Sequence, residues 1–533
     1  MESVSLEEIV ALVKELQGKL QELEEQHKQD EERHKRDQEI IAKLTQLLYG
    51  KKSEKTKYVE DTEHHQDSLF NEVEATVPVS ETATAEQVIK SYVRKRTGKK
   101  RSLDECLDAS IPVEEVTVDL PDTQCKVCGH ELHSVGRELV RRELVYIPAK
   151  LLLKKFYRMT YECRHCSTPD HTVMVNAAPP APVIPHSYVG AGLLAWVLAQ
   201  KFEYAVPLYR IENMLAQLGF TASRASMANW CAIAALEYLE PLCQRMKEIL
   251  LSEPAIHADE TPVQVLRNAD GSKFSKTKAY LWLFAGGRFG RHPQIRLFVY
   301  KPTRSGDVPK DFLGEYGGYL HTDDYAGYNK VPYAKRVLCW AHVRRKFVDA
   351  AQSTVRGTEN QALAREGIEQ IGKLFEIERR IEQLSPEERV QVRLQQEKPV
   401  LEAFWAWANS AIVRVAPKSR LGIALKYALS NRPGLETYLT NGYCSLSNNL
   451  AESSIRPITI GRKNWTFFAS TKGARASAII YSLVETCKAA GTEPQTYFEY
   501  LFTHLPQMNW QQADTNTIDD YLPWSTRIKE HCC

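Results

Sequence analysis

Two cysteine pairs and three widely separated acidic residues carry the clearest chemistry in this 533-residue sequence. Cys125 and Cys128 form one CxxC pair, and Cys163 and Cys166 form a second. Each pair offers two thiolates to a tetrahedral ion, so together they complete a structural four-sulfur Zn²⁺ site with no open position for catalysis. Redox CxxC chemistry or unrelated buried thiols are the rivals. His130 and His165 beside the pairs read as bystanders. The acidic residues are Asp259 in PAIHADETPVQVL, Asp323 in GGYLHTDDYAGY, where a strand is expected to end in Asp323-Asp324, and Glu452 after Asn448-Asn449-Leu450-Ala451. Carboxylates drawn from distant segments are what two hard divalent ions need in order to activate water or a 3′-hydroxyl and to stabilise a leaving oxygen. The chain has 67 Asp and Glu, so spacing alone does not single out this triad.

The elements that must position these groups can be read from the pattern. Around Asp259, KAYLWLFAGG and QIRLFVY predict two more strands. SGDVPKDFLGEY predicts a short helix, and AKRVLCWAHVRRKF a strand running into a basic helix. Three strands, a helix and a carboxylate-bearing strand are the order expected of an α/β RNase H-like core. That core is expected to start at 251–347, with strongly helical sequence at 348–440, a segment carrying Glu452 at 441–510 and a tail at 511–533. Upstream, 186–250 reads as a helical domain. The turn at Leu218-Gly219-Phe220 and a helix starting near Thr221–Ser223 suggest helix-turn-helix geometry, with Ser223, Arg224, Ser226 and Asn229 near the start of the second helix. Compact helical packing without DNA contact is the alternative there.

Residues 111–176 hold the four-Cys module, whose alternating segment between the pairs suits an enlarged zinc-ribbon hairpin. Residues 51–110 read as a polar linker ending in a basic run: Arg94, Lys95, Arg96, Lys99, Lys100 and Arg101. Such a run suits a phosphate backbone or serves as a solvated tether. Residues 1–50 carry a heptad pattern, with Leu6, Val13, Leu20, Ile41 and Leu48 at one register and Ile9, Leu16, Leu23 and Leu44 at the other. His27, Asp30, His34 and Asp37 fall at those registers in the middle. A long helix follows, either paired as a coiled coil in a homo-oligomer or lying exposed. The net charge of +2 excludes a globally basic protein, but it conceals these local cationic stretches. The start of the sequence lacks a signal-peptide pattern, and the reading is cytoplasmic.

The sequence resembles the IS66 insertion-sequence transposases. The residues that carry the likeness are His257-Ala258-Asp259-Glu260-Thr261-Pro262, Asp323-Asp324-Tyr325-Ala326-Gly327-Tyr328, and Cys339-Trp340-Ala341-His342 with Arg344-Arg345-Lys346-Phe347. Further matches are Asn448-Asn449 with Ala451-Glu452, Ile455-Arg456-Pro457, Gly461-Arg462-Lys463-Asn464-Trp465, Pro207-Leu208-Tyr209-Arg210, and Tyr49-Gly50 with Ser53-Glu54-Lys55. The resemblance implies a DDE transposase that cuts double-stranded DNA at element ends and transfers the strands to target DNA. It implies Asp259, Asp323 and Glu452 as catalytic ligands of Mg²⁺ or Mn²⁺, with Asp323 preferred to Asp324. His257 and His321 would flank the ions rather than bind them.

The resemblance also implies a leucine-zipper-like helix, a zinc module, a helix-turn-helix and a catalytic core interrupted by a helical insertion at 348–440 and resumed at 441–510, with small accessory proteins from the same element as partners. The basic segment at 94–101 departs from the family's Pro- and Arg-richer version. Arg456, Arg462 and Lys463, close to Glu452, are candidate phosphate contacts. His342, Arg344, Arg345 and Lys346 form a basic helix start expected to hold DNA backbone, and Trp465 is expected in the core. The competing reading is a zinc-containing DNA-binding regulator without catalytic activity.

Overall fold

A computed structural model of the chain describes residues 151–532, apart from 158–159, 163–173, 177–178, 269, 274–277 and 355–356. The heptad helix, the basic run at 94–101 and all four paired cysteines lie outside the described residues. β1 (Thr160–Glu162) and β2 (Met174–Asn176) pair antiparallel. Helices then take over: α1 (Ala191–Leu198), α2 (Leu208–Gln217), α3 (Arg224–Ile233) and α4 (Glu240–Leu251).

The turn between α2 and α3 follows from its residues. Gly219 adopts φ 83°, a left-handed conformation that costs a glycine nothing. Its N–H reaches Ala216 O, and Phe220 N–H reaches Leu215 O, which closes α2 with the paired bonds of a Schellman motif. Ser223 then caps α3, its hydroxyl accepting from Ser226 N at 3.1 Å. Arg224, Ala225, Ala228 and Asn229 face outward, while Met227, Trp230 and Cys231 face the core.

The centre of the molecule is a five-stranded mixed sheet. Its strands are β3 (Ala255–Val263), β5 (Ala279–Gly286), β6 (Arg296–Lys301), β7 (Tyr319–Thr322) and β8 (Lys335–Leu338), in the order β6-β5-β3-β7-β8. β4 (Val265–Arg267) extends β3 outside that sheet. β3 is antiparallel to β5 and parallel to β7, β6 is antiparallel to β5, and β8 is parallel to β7. The parallel crossover from β6 to β7 needs a longer connection, and α5 (Asp307–Leu313) lies within it. β5 is buried along almost its whole length, as a strand covered on both faces must be.

After β8 the chain enters α6 (Trp340–Ser353) and a helical block: α7 (Glu359–Arg380), α8 (Pro386–Val392), α9 (Lys398–Arg414), α10 (Arg420–Ser430) and α11 (Arg432–Glu436). It returns to the sheet as α12 (Asn449–Trp465), whose far end runs into β9 (Phe468–Ser470), paired parallel with β4. α13 (Thr471–Ala490) covers the edge strand β6. Its Ser482 and Thr486 hydroxyls, one turn apart, accept from the outward N–H groups of Phe298 and Arg296 at 2.8 and 3.0 Å. An edge that would otherwise invite another strand is thereby satisfied.

Two apolar cores result. One joins α1–α4, the sheet, α12 and α13; the other joins the end of β8, α6 and the helical block. The loop 441–448 links them: Trp340 N donates to Leu446 O at 3.1 Å within the second core, and Asn448 Nδ2 donates to Ala258 O of the first at 2.9 Å. The architecture beyond the N-terminal regions is thus a mixed α/β core with a large helical component. Among the described residues no helix is long and apolar enough to cross a membrane.

Candidate active site

Asp259 sits on β3, the central strand, and Asp323 follows β7 immediately. Strand register sets their relation. His257 pairs with His321 across the parallel β3–β7 ladder. Asp259 lies two residues further along β3, on the side to which His257 points, and Asp323 lies two residues after His321, in the loop that follows β7. The two buried imidazoles stack with centroids 4.2 Å apart and planes 9° from parallel. Asp259 Oδ1 accepts from Glu260 N at 2.8 Å, and Asp323 Oδ1 accepts from Tyr325 N at 2.9 Å.

Withdrawal from water pushes the Asp259 carboxyl up to about 8. The neighbouring charge of Glu260 adds to the rise, its backbone N–H opposes it, and Glu452 and Asp323 add further. The charges of both other carboxylates singled out by sequence thus bear on Asp259.

Glu260, on the opposite face of β3, holds the Asp323 loop from behind. It accepts from Tyr328 Oη at 2.6 Å and from Arg304 Nε at 2.6 Å. The Arg304 guanidinium lies 4.0 Å from the Tyr325 ring centre, and Tyr325 Oη donates to Arg304 O. Arg336 Nη2 donates to Asp323 O at 2.6 Å and to Thr322 Oγ1 at 3.0 Å. Asp324 is exposed and turns to the helical block, where Asn431 Nδ2 donates to its Oδ2 at 3.0 Å.

Glu452 occupies the first turn of α12. Asn448, 1% exposed, fixes that helix to β3. Its Nδ2 donates to Ala258 O at 2.9 Å, so its Oδ1 is the acceptor for His257 Nδ1 at 2.9 Å, and its backbone N–H points to Cys339 Sγ at 3.1 Å. His321 Nε2 accepts from Ser445 N at 3.3 Å. Both histidines are held neutral: burial lowers His257 to about 4 and His321 well below its usual value. One nitrogen of each ring anchors the loop that delivers Glu452, His257 Nδ1 through Asn448 and His321 Nε2 through Ser445 N, while His257 Nε2 is buried without a hydrogen-bond partner.

Arg345 Nη2 donates to Glu452 Oε2 at 3.2 Å, and His342 Nε2 lies 3.5 Å from Oε1. Oε1 is buried and has no hydrogen-bond partner. That orphaned oxygen, with the mutually repelling charge around Asp259, fits a donor set for a hard divalent cation.

Several cationic candidates are placed differently from expectation. Arg344 is 5% exposed, on the same helical face as Trp340 and Phe347, and so is turned away from any DNA backbone. His342, expected to join a cationic helix start, is kept uncharged by burial against the pull of Glu452. Lys346 Nζ lies 4.4 Å from the Tyr427 ring centre. Arg462 donates to Pro262 O and so braces α12 against β3. Arg456 and Lys463 lie on α12, with Lys463 in its last turn. Arg224 is exposed at the start of α3, 3.3 Å from Glu212. Trp465 is buried, 4.6 Å from the Phe468 ring centre. The supporting roles of Glu260, Arg304, Arg336, Asn448 and Cys339 were not read from sequence, although Glu260, Asn448 and Cys339 stand inside the motifs quoted above.

The family model described as "Transposase IS66 family" matches residues 186–476, which span the whole of this arrangement. The chain belongs to the IS66 transposase family. Three further models match: the zinc-finger binding domain of transposase IS66 at 122–167, the IS66 C-terminal element at 482–524, and "Transposase C of IS166 homeodomain" at 36–116. Similar relatives come from Sinorhizobium fredii (strain NBRC 101917 / NGR234). The uncharacterized protein y4hP is 27% identical, over 91% of this chain and 87% of its own length. The uncharacterized protein y4jD is 27% identical over 92% and 94%, and y4qI 28% identical over 78% and 75%. Membership of the IS66 family supports a transposase role with DNA as partner, and it joins a zinc-binding domain to a catalytic domain.

Proposed function

We propose that the chain is a DDE transposase that cuts DNA at insertion-sequence ends and joins the liberated strands to target DNA. The observation that carries this reading is geometric: Asp259 on β3 and Asp323 just past β7 stand on neighbouring parallel strands of a sheet ordered β6-β5-β3-β7-β8, and Asn448 ties the start of the Glu452 helix to Ala258, next to Asp259. That order, with β3, β7 and β8 parallel and β5 antiparallel, supports assigning an RNase H-like core.

In this reading Asp259, Asp323 and Glu452 would together hold the divalent cations, Mg²⁺ or Mn²⁺, with Glu452 contributing from α12. The bound ions supply Lewis-acid activation of the attacking oxygen and stabilisation of the leaving one. The residues of the chain set the geometry. Register along β3 and β7 spaces the aspartates, Glu260 with Arg304 and Tyr328 stiffens the Asp323 loop, and Asn448 sets the approach of Glu452. Water attacks the scissile phosphorus and the 3′-oxygen leaves with a proton. In the joining step that 3′-OH attacks a target phosphodiester, so one bond forms as another breaks and no covalent enzyme intermediate is required. Asp323 is chosen over Asp324 because Asp324 is tied outward to Asn431.

The remaining assignments belong to the same proposal. The four cysteines hold a structural Zn²⁺, α2 and α3 with Arg224 contact DNA, and the 94–101 run tracks phosphate. Arg345, Lys346, Arg456, Arg462 and Lys463 border the path of the DNA. Residues 1–50 drive homo-oligomerisation, small proteins of the same element assist, and the work is done in the cytoplasm. The boundaries at 51–110, 111–176, 186–250, 251–347, 348–440, 441–510 and 511–533 follow the segments given above. The test is a cleavage and joining assay on DNA carrying the element's own ends with Mg²⁺ or Mn²⁺. Wild-type protein is expected to nick those ends and not scrambled ones. Equal activity in Asp259→Asn and Glu452→Gln would sink the proposal.

A further inference from the structure

Cys339 and His342 carry the sequence C-x-x-H across the start of α6, with Cys339 at the N-cap and His342 in the first turn. That spacing brings both side chains to one side of the helix end. There they meet Glu452, which is 107 residues from Arg345 in sequence yet bonded to it. The Cys339 thiol, a ring nitrogen of His342 and a Glu452 carboxylate oxygen all lie within 4.8 Å of one another. We propose that these three residues form a binding site for a thiophilic transition metal, Zn²⁺ by the chemistry of its donors.

Three further observations support the site. His342 Nε2 and Glu452 Oε1 are 3.5 Å apart, too far for a hydrogen bond of ordinary strength. That is close to the ~3.3–3.5 Å that a tetrahedral ion imposes on nitrogen and oxygen ligands about 2.0–2.1 Å away. Glu452 Oε1 is buried and unpartnered, while Oε2 is held by Arg345, so the two oxygens already have separate tasks. Cys339 Sγ, 3% exposed, accepts the Asn448 N–H at 3.1 Å at the start of α6; burial pushes this thiol up to about 12, so without a metal it keeps its proton and a bound ion would have to displace it. Loading therefore releases one proton from the thiol. His342 gives the Nε2 lone pair and keeps its proton on Nδ1, and a fourth position remains for water. A thiolate and an imidazole select Zn²⁺ or Co²⁺ and disfavour Mg²⁺, so this site differs in kind from the all-oxygen donors of the strand carboxylates.

The site stands on its own ligands. Its consequence rests on the proposed function: Zn²⁺ would draw Glu452 Oε1 away from the catalytic cations and inhibit Mg²⁺-supported cleavage. Full-length protein equilibrated with Zn²⁺ and freed of excess is assayed for metal per chain, in wild type, Cys339→Ser and His342→Gln. Wild type is expected to retain one equivalent more than either variant, with no loss on adding Mg²⁺. Equal metal content in all three would overturn the site. Should a variant fail to fold, Co²⁺ titration of wild type decides instead. A second equivalent should add thiolate-to-metal absorbance at about a quarter of the intensity given by the four-thiolate site, in line with one sulfur against four. A second equivalent adding none overturns the proposal. If wild-type protein cuts no end DNA at all, the transposase reading fails while the metal count still judges this site.

Discussion

The strand side and the helix side of the carboxylate cluster are built on different principles. Asp259 is fixed by main-chain register on the central strand β3, opposite Leu283 of β5, and the charges that shift it are all carboxylates. Glu452 rides on a helix anchored by one asparagine, and its charge is met by Arg345 and approached by His342. The strand side is rigid and short of compensating charge, so it demands a proton or a metal ion. On the helix side the charge is already partly answered, by groups that a metal or DNA can displace. Rigidity placed where cations must be spaced, and exchangeable pairing placed where access is needed, is a division that suits a two-ion site.

The largest test of that division removes charge from each side. Asp259→Asn and Glu452→Gln are each expected to lower end cleavage by about 10³-fold or more, the size of losing several kcal/mol of transition-state stabilisation. Asp324→Asn should stay within about threefold, since its carboxylate is exposed and turned to Asn431. Cleavage lost in Asp324→Asn and kept in Asp323→Asn would reverse the assignment of the strand side.

Asn448→Ala attacks the connection between the two sides. It leaves His257 Nδ1 and Ala258 O unpaired in a buried place, at about 1–3 kcal/mol for each group. Thermal denaturation should show that loss. Cleavage should fall by about 10²-fold through misplacement of Glu452, with DNA binding unchanged by gel shift. Unchanged cleavage would mean that the helix is held elsewhere, by Arg462 and the β4–β9 pairing.

Much of this was legible in the sequence because it is local. The Gly219 turn, the capping Ser223 and the carboxylate-bearing motifs are contiguous signals, and the structure forms the turn and cap at those residues. Even the burial of Arg344 was readable in principle, since positions 340, 344 and 347 share one helical face. The pairing of His342 and Arg345 with Glu452 was not, because it depends on how a block of helices returns the chain to the sheet. Nor could strand alternation choose between Asp323 and Asp324. Asp323 lies past the end of β7, where Tyr325 N and Arg336 fix the loop rather than the pleat.

A pH titration sharpens the strand side. With its carboxyl pushed up to about 8 from an ordinary 3.8, Asp259 in metal-free protein is protonated at neutral pH. A cation must displace that proton. Apparent Mn²⁺ affinity is therefore expected to rise about tenfold per pH unit from pH 6 to 8 and to level off above, measured by calorimetry. Stability has the opposite sign. A carboxyl whose folded pKa is raised weakens the metal-free fold progressively as pH climbs from about 4 to 8, the range between its ordinary and its shifted value. Asp259→Asn should therefore raise the melting temperature at pH 8 in chelator, and the gain should fade toward pH 4. A flat affinity profile would show that Asp259 is already ionised, with a compensating charge nearby.

The smallest effect belongs to the exchangeable pair on the helix side. Arg345 is half exposed and its 3.2 Å contact with Glu452 Oε2 is partly screened by water, so Arg345→Ala should change stability by no more than about 1 kcal/mol. Removing a cation beside Glu452 should at the same time strengthen Mn²⁺ binding by up to about fivefold, the affinity equivalent of the same energy. The two effects separate a structural salt bridge from a displaceable one. If Arg345→Ala instead unfolds the protein or weakens Mn²⁺ binding, the arginine is positioning the carboxylate for the metal, and the helix side is as rigidly built as the strand side.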